Sequence, residues 1–213
     1  MTWSYYISNL LQDMEEWKVC PYVSMETSIQ SPSKDTLHWY ALKVFFNKVF
    51  EVEDILHDDQ VESYIPCQWV REERQGKMQN LRKTIIPSLM FFRSTEKYAK
   101  DLQQRLLNRV MLYMKRESEY CKRPAIISDT EMDMFILVTS AGDQGLEYFP
   151  DDYMSYKVGQ KVRVIGGIFK GAEGYIKRIK HNRRLTVTLS GICMVATSFI
   201  EPSYLEIIDD SQS

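Results

Sequence analysis

The sequence has few of the residues that hold metal ions, and those it has are scattered. It contains four cysteines and three histidines among 213 residues, with no C-x-x-C pair and no His spacing that would complete a ligand set. We therefore expect no metal and no cofactor. The thiols are expected to be reduced and the imidazoles solvated or packed. These residues are Cys20, Cys67, Cys121, Cys193, His38, His57 and His181.

Long apolar runs are also absent, and none approaches the roughly 20 residues needed to cross a bilayer. The N-terminus carries Asp13, Glu15 and Glu16 and lacks the basic start and apolar stretch of a secretory signal. The sequence therefore predicts a cytoplasmic protein without a membrane partner.

Catalytic patterns are missing as well. The paired acids Asp58-Asp59, Glu72-Glu73 and Asp151-Asp152 are adjacent, so their side chains diverge in any regular element. No glycine-rich phosphate loop with a lysine is present, and Ser, His and Asp have no recognisable spacing. We expect a protein that is not an enzyme.

Charge is nearly balanced over the whole chain but not along it. The formal net charge is −2, yet residues 157–184 hold nine Lys/Arg and one Glu, and residues 185–213 hold four acids and no base. A local positive field of this kind attracts phosphate. The basic segment indicates a partner associated with nucleic acid.

The chain is long enough for two small domains preceded by an extension. In residues 1–35, apolar side chains recur at steps of four and three and predict an amphipathic helix, followed by a polar linker. Two alternatives are open for this helix: docking on its own protein or binding a partner. The apolar positions are Trp3, Ile7, Leu10, Met14 and Trp17.

The middle of the chain predicts a βαβββα pattern, hence an α+β domain. Strand-like sequence at 37–46 precedes a short helix to about residue 57 with Asn47 as its N-cap, and strands at 63–74 and 79–86 flank a hairpin turn at 75–77. A strand at 89–93, a helix capped by Ser94 or Thr95, and an edge strand at 110–116 follow. Ser128 and Glu131 form a capping box that begins the last helix.

Beyond an acidic stretch at 143–153, which predicts an interdomain linker, short strands recur at close spacing. We expect strands at 161–165, 175–180, 185–189, 192–197 and 204–208, separated by turn signals. So many strands in about 55 residues must bury one face. A small SH3-like β-barrel is the economical prediction.

Together the two halves resemble the NusG family of transcription elongation factors, over roughly residues 37–208. The matching stretches are HWYAL at 38–42, YIP at 64–66, RKTIIPSLMFF at 82–92, RPAIISD at 123–129, and GGIFKGAEG at 166–174, which resembles the core of a KOW motif. The resemblance implies an NGN domain at 36–142, a linker at 143–153 and a KOW domain at 154–213.

Two departures from the family pattern are informative. Pro87-Ser88-Leu89 stands where general members usually have Pro-Gly-Tyr, and the 35-residue extension and the region 116–123 are additional. These features are more similar to the specialised UpxY-type paralogues, which act as antiterminators on surface-polysaccharide operons. A general NusG-type factor that couples polymerase to Rho or the ribosome is the alternative, and a KOW protein that binds ribosomal RNA is a second one.

The resemblance also implies partners. The NGN domain is expected to bind the clamp of the large RNA polymerase subunit and to face the non-template DNA strand, and the KOW domain to meet Rho or a ribosomal protein. The expected polymerase contacts, each with core packing as its alternative, are Trp39, Tyr40, Phe45, Pro87, Leu89 and Phe91. The expected nucleic-acid contacts, with a solvated rim as the alternative, are Lys43, Asn47 and Lys48. The expected KOW contacts are Arg163, Phe169 and Lys170, where Phe169 is taken as an exposed loop tip.

A second basic surface lies on the predicted hairpin and is partly offset by Glu72 and Glu73. A solvated hairpin is the favoured interpretation there. Its bases are Arg71, Arg74, Lys77, Arg82 and Lys83.

Overall fold

The computed structural model describes residues 36–74, 76–118, 121–150, 159–179, 182–189 and 191–208. The amphipathic helix predicted within residues 1–35 lies outside these ranges. The helices are α1 Val49–Asp58, α2 Glu96–Leu106 and α3 Asp129–Ser140. The strands of the N-terminal half are β1 His38–Val44, β2 Glu62–Tyr64, β3 Cys67–Arg74, β4 Lys77–Thr84, β5 Leu89–Ser94, β6 Val110–Leu112, β7 Met114–Ser118 and β8 Cys121–Pro124. Those of the C-terminal half are β9 Glu147–Pro150, β10 Gln160–Val164, β11 Glu173–Ile179, β12 Asn182–Leu189, β13 Cys193–Phe199 and β14 Leu205–Ile207.

A four-stranded antiparallel sheet in the order β2-β5-β1-β6 forms the centre of the N-terminal half. Its central strands are apolar on both faces, as expected for a sheet that is covered on both sides. Because side chains alternate along a strand, Tyr40, Leu42 and Val44 pack with α1 and α2, whereas Trp39 and Ala41 pack with α3. The α+β prediction for this half is confirmed.

Local capping signals decide where two helices begin. Thr95 caps α2 by accepting a hydrogen bond from the Tyr98 amide at 3.2 Å. Ser128 and Glu131 form the predicted capping box of α3. The prediction of Asn47 as N-cap is wrong, since Lys48 occupies that position and makes no side-chain cap.

Two hairpins stand apart from this sheet. Strands β3 and β4 pair only with each other in the described part of the chain, and so do β7 and β8. Gly76, with a φ of 73°, forms the turn predicted between β3 and β4. The long strands predicted at 63–74 and 110–116 are each divided in two, the first by Ile65 and Pro66 and the second by Tyr113.

A second antiparallel sheet forms the C-terminal half, in the order β14-β10-β11-β12-β13-β9. Strands β10 to β14 occupy the five segments that were predicted as strands. Among the pairings of the described residues none closes the sheet on itself, so the barrel stays a prediction. Strand β9 differs from expectation, because Glu147–Pro150 of the supposed linker pairs with the edge strand β13.

Helix α3 lies between the two halves. Met132, Phe135 and Val138 share one buried cluster with residues of both sheets, including Phe91 and Val187. On the same helix, the Thr139 hydroxyl lies 2.6 Å from the Tyr64 hydroxyl, which ties α3 to β2.

Polar contacts join the same elements. The Glu173 amide donates to the Met134 sulfur at 3.3 Å, and the Ser198 amide donates to the Asp143 carboxylate at 2.8 Å. The Arg184 guanidinium lies 2.8 Å from the Glu147 carboxylate. The C-terminal sheet is therefore packed on α3 and on the segment that follows it. No helix in the described ranges is long and apolar enough to cross a membrane.

Candidate functional site

Backbone strain is concentrated at one end of the N-terminal sheet. Five non-glycine residues in the described ranges have a positive φ, and four of them lie at this end: Phe46 (61°), Asn47 (55°), Ser88 (63°) and Leu107 (40°). Their segments are joined by backbone hydrogen bonds from Val44 to Ser88 (2.8 Å) and from Phe45 to Arg109 (2.9 Å). We call residues 43–48, 87–88 and 107–111 the sheet end. Strained residues of this kind cluster at functional sites.

The sheet end also exposes apolar side chains. Phe46 is 77% exposed and Leu107 is 64% exposed, and Pro87 is exposed as well. Phe45 is half-buried, with its ring centroid 6.4 Å from that of Phe46. A bulky side chain held at positive φ and directed into solvent gains nothing from packing. This patch has the properties of a contact surface.

Bases surround this apolar patch. The Lys43 ammonium lies 5.8 Å from the centre of the Phe45 ring. Lys48 and Arg109 both pair with Glu51, at 3.0 Å and 2.9 Å. Three bases against one acid leave a net positive surface next to the exposed Phe46 ring, a combination typical of single-stranded nucleic-acid binding.

The structure brings five of the nine residues predicted for the N-terminal half to this surface. Lys43, Asn47, Lys48 and Pro87 are exposed there, and Phe45 is partly so. The other four are buried and lie on both faces of the sheet: Trp39, Tyr40, Leu89 and Phe91. The exposed apolar surface of the sheet end thus includes Phe45 and Pro87 of the predicted polymerase contacts, together with Phe46 and Leu107, which were not predicted.

Tyr40 shows how complete that burial is. Its hydroxyl has no hydrogen-bond partner among the described residues, and burial, with a smaller contribution from Glu96, raises its pKa to about 12. A charged substitution at Leu89 or Phe91 would disturb the core. It would therefore be a poor probe of binding.

Of the three residues predicted as KOW contacts, two are exposed and one is buried. Arg163 is exposed but pairs with Glu173 at 2.6 Å, and Lys170 is exposed. Phe169, expected at an exposed loop tip, is only 4% exposed and belongs to the cluster around α3, because its turn folds back on that helix. Ile168, 63% exposed, is the apolar residue at the tip instead.

Sequence reasoning missed Phe46, Leu107 and Ile168. Phe46 follows the end of β1, and its exposure depends on a backbone turn to positive φ that the sequence does not signal. For Leu107 no local signal existed. It ends α2 at a positive φ that leucine rarely adopts.

Ser88 offers a direct test of the strain. At its φ of 63° the Cβ atom is unfavourable, so Ser88→Gly is expected to raise the free energy of unfolding by about 0.5–1 kcal/mol after the entropy cost of glycine. Urea titration of full-length protein measures the change. Ser88→Ala, which keeps the Cβ, is the control, and an equal gain in both variants would contradict the explanation.

Within the described ranges, no group of three His, Cys, Asp or Glu side chains is placed to hold a metal ion. Burial raises the pKa of the Cys67 thiol, which favours its protonated form.

Comparison with known proteins agrees with the resemblance in the N-terminal half. Residues 37–136, somewhat less than half of the chain, match the family model described as transcription termination factor nusG. A solved structure described as domain interaction in Thermotoga maritima NusG is 18% identical, covers 82% of this chain and 98% of its own, and has a TM-score of 0.42, too low to support an inference. No curated protein matches the chain. Between residues 37 and 136 the chain is therefore similar to the NusG family.

Proposed function

We propose that the protein is a NusG-type transcription factor that binds RNA polymerase through residues 36–142 and suppresses pausing or termination. The match of residues 37–136 to the NusG family is the observation that carries this proposal. The proposed activity consists of binding and requires no covalent chemistry. To act, the factor must prefer the closed polymerase clamp, since equal affinity for open and closed forms would shift nothing. A preference of about 1.4 kcal/mol changes their ratio tenfold.

The sheet end is the surface we assign to the polymerase. Exposed aromatic and apolar anchors on a rigid support concentrate interface energy. Phe46 and Leu107, with Phe45 and Pro87 of the same sheet end, supply such anchors, and Trp39 and Phe91 lie buried in the supporting sheet. Lys43, Asn47 and Lys48 lie along the same edge and would face the non-template DNA strand.

Phe46→Ser is expected to weaken binding to purified RNA polymerase about tenfold or more, because it removes the most exposed anchor of the sheet end. Fluorescence titration of labelled full-length protein with polymerase measures the effect. Trp69→Ser is the matched control, because Trp69 is 73% exposed but lies on the β3–β4 hairpin. Equal losses in both variants, or none in Phe46→Ser, would sink the assignment.

The finer proposal is a specialised, UpxY-type antiterminator that serves a surface-polysaccharide operon. It is supported by Ser88 in place of glycine, the 35-residue extension and the additional β7–β8 hairpin. Genome-wide polymerase occupancy tests it. Association confined to one operon is expected, and association with most transcribed genes would favour the general NusG-type factor, coupled to Rho or a ribosomal protein through Ile168, Lys170 and Arg163.

A second candidate function is RNA binding by the C-terminal sheet. It is favoured by Arg178 opposite Arg183 and Lys177 opposite Arg184 on β11 and β12, since like charges opposite each other cost stability. Burial lowers the pKa of Lys177, and Arg184 is neutralised by Glu147. The pair Arg178–Arg183 is exposed and carries the basic surface.

Arg178→Gln/Arg183→Gln in the full-length chain tests this candidate. If the C-terminal sheet binds ribosomal RNA, affinity should fall several-fold and the slope of log K against log salt by roughly 1.4–1.8. Gel-shift titrations at two or more salt concentrations measure both. An unchanged slope would remove the candidate.

A further inference from the structure

We propose that the paired strands β7 (Met114–Ser118) and β8 (Cys121–Pro124) are a second nucleic-acid contact that inserts into the major groove of double-stranded DNA. This goes beyond the proposed function and does not depend on polymerase binding. The assignment rests on the hairpin's placement, on the register of its charges and on the distribution of those charges over its two faces.

The hairpin projects from a firm base. The Tyr113 amide donates to the Ala41 carbonyl of β1 at 3.1 Å, and the Ala125 amide donates to the Tyr113 carbonyl at 2.8 Å. Pro124 is buried and Met114 packs against the cluster of α1 and α2. Beyond this base the strands pair only with each other, and residues 115–118, 122 and 123 are exposed. Packing within the protein therefore does not explain which side chains occupy these positions.

The register places like charges directly opposite each other twice. Lys115 faces Arg123, and Arg116 faces Lys122. Opposed like charges destabilise a strand pair, whereas a Lys–Glu exchange at either position would stabilise it. An arrangement that costs stability twice in one short hairpin calls for an anionic partner.

Little within the hairpin neutralises these bases. Glu117 pairs with Arg123 at 3.1 Å, with both side chains about half exposed. In the ranges that the structure describes, no ion pair joins Lys115, Arg116 or Lys122 to an acid. Over residues 114–124 the sequence has four bases and two acids.

The distribution over both faces selects the shape of the partner. Because neighbouring residues on a strand point to opposite faces, Lys115 and Arg123 lie on one face and Arg116 and Lys122 on the other. A hairpin lying flat on one phosphate strand would need bases on one face only. Bases on both faces fit a groove with phosphates on both walls.

The width of the major groove distinguishes a DNA duplex from an RNA duplex as the partner. The major groove of B-DNA, about 12 Å wide, admits a two-stranded β-ribbon. The major groove of an A-form RNA duplex is deep and too narrow for side chains to read. The partner of the hairpin is therefore duplex DNA.

The test uses the full-length protein, without polymerase, and a labelled DNA duplex of about 30 base pairs, titrated by fluorescence anisotropy between 50 and 200 mM salt. Arg116→Gln/Lys122→Gln and Lys115→Gln/Arg123→Gln each remove one opposed pair. Each is expected to weaken binding at least about threefold and to lower the slope of log K against log salt by about 1.8, since each phosphate contact contributes roughly 0.9.

Lys97→Gln/Lys100→Gln on α2 is the charge-matched control and should leave the slope unchanged. Arg116→Gln/Lys122→Gln should unfold in urea at a midpoint equal to or above that of the parent, because it relieves repulsion and leaves the Glu117–Arg123 ion pair intact, and a lower midpoint would overturn the register argument. An equal loss of DNA affinity in the α2 control would show that the effect comes from the net charge of the protein and not from the hairpin, which would overturn the proposal. Dependence on only one pair, or an equal dependence for an RNA duplex of the same sequence, would overturn insertion into a DNA groove.

Discussion

Phe135→Ala is expected to lower the free energy of unfolding by about 3–5 kcal/mol, the usual cost of removing a fully buried aromatic side chain. Phe135 is 0% exposed, and its ring meets that of Phe91 edge to face with centroids 5.1 Å apart. Such a pair contributes about 0.5–1.5 kcal/mol beyond the burial of area. The loss should therefore fall toward the upper part of the range.

Because of the position of Phe135, we expect the substitution to lower the stability of both halves of the molecule. It lies on α3, in the buried cluster that also contains Val187 and Leu189 of the C-terminal sheet. Urea unfolding followed by circular dichroism gives the free energy, and hydrogen exchange of β12 amides shows whether protection of the C-terminal sheet falls with it. Phe46→Ala, at a residue 77% exposed, is the control and should change stability by less than about 0.5 kcal/mol. A loss below 1 kcal/mol at Phe135 would contradict the packing described for α3.

Features fixed by neighbouring residues were predictable from the sequence. The capping box at Ser128 and Glu131, the Thr95 cap and the turn at Gly76 all depend on groups within a few residues of one another. Five of the six strands of the C-terminal sheet, β10 to β14, were found for the same reason, since their turn signals are local. Where several residues compete for one role, as at the start of α1, the choice of Asn47 over Lys48 failed.

Features fixed by distant contacts were not predictable. Strand β9 looks like an acidic linker, and only the free edge of β13 makes it a strand. Phe169 sits between glycines in sequence, yet its turn folds onto α3, from a part of the chain some 30 residues earlier. No window of neighbouring residues contains either piece of information.

The candidate site likewise has one part that was predictable from the sequence and one part that was not. Its bases and amide, Lys43, Asn47 and Lys48, follow from the position of β1, because the end of a strand is exposed. Its apolar part depends on which side chains the helices cover, and that is a property of packing. Trp39 and Tyr40 are covered from opposite faces, whereas Phe46 escapes because its backbone turns to a positive φ.

Gly174→Ala is expected to destabilise the C-terminal sheet by about 3 kcal/mol, the upper end of the usual cost of overpacking. A Cβ atom at Gly174 would lie 2.4 Å from the Thr186 carbonyl oxygen and 3.2 Å from Leu185 Cδ1. The Leu185 side chain can rotate, but the carbonyl belongs to the backbone of β12. It cannot retreat without disturbing the pairing of Tyr175 with Thr186. The KOW-like sequence thus needs glycine here for the close approach of two strands.

Gly191→Ala separates this clash from the general cost of replacing glycine. Gly191 has a φ of 77° and no atom within 4 Å of an added Cβ, so alanine there should cost only about 1–2 kcal/mol of backbone strain. Urea unfolding of both variants, followed by circular dichroism, makes the comparison. If Gly174→Ala cost no more than Gly191→Ala, strand β12 would have to yield easily. The close packing of β11 on β12 would then not be what requires glycine at this position.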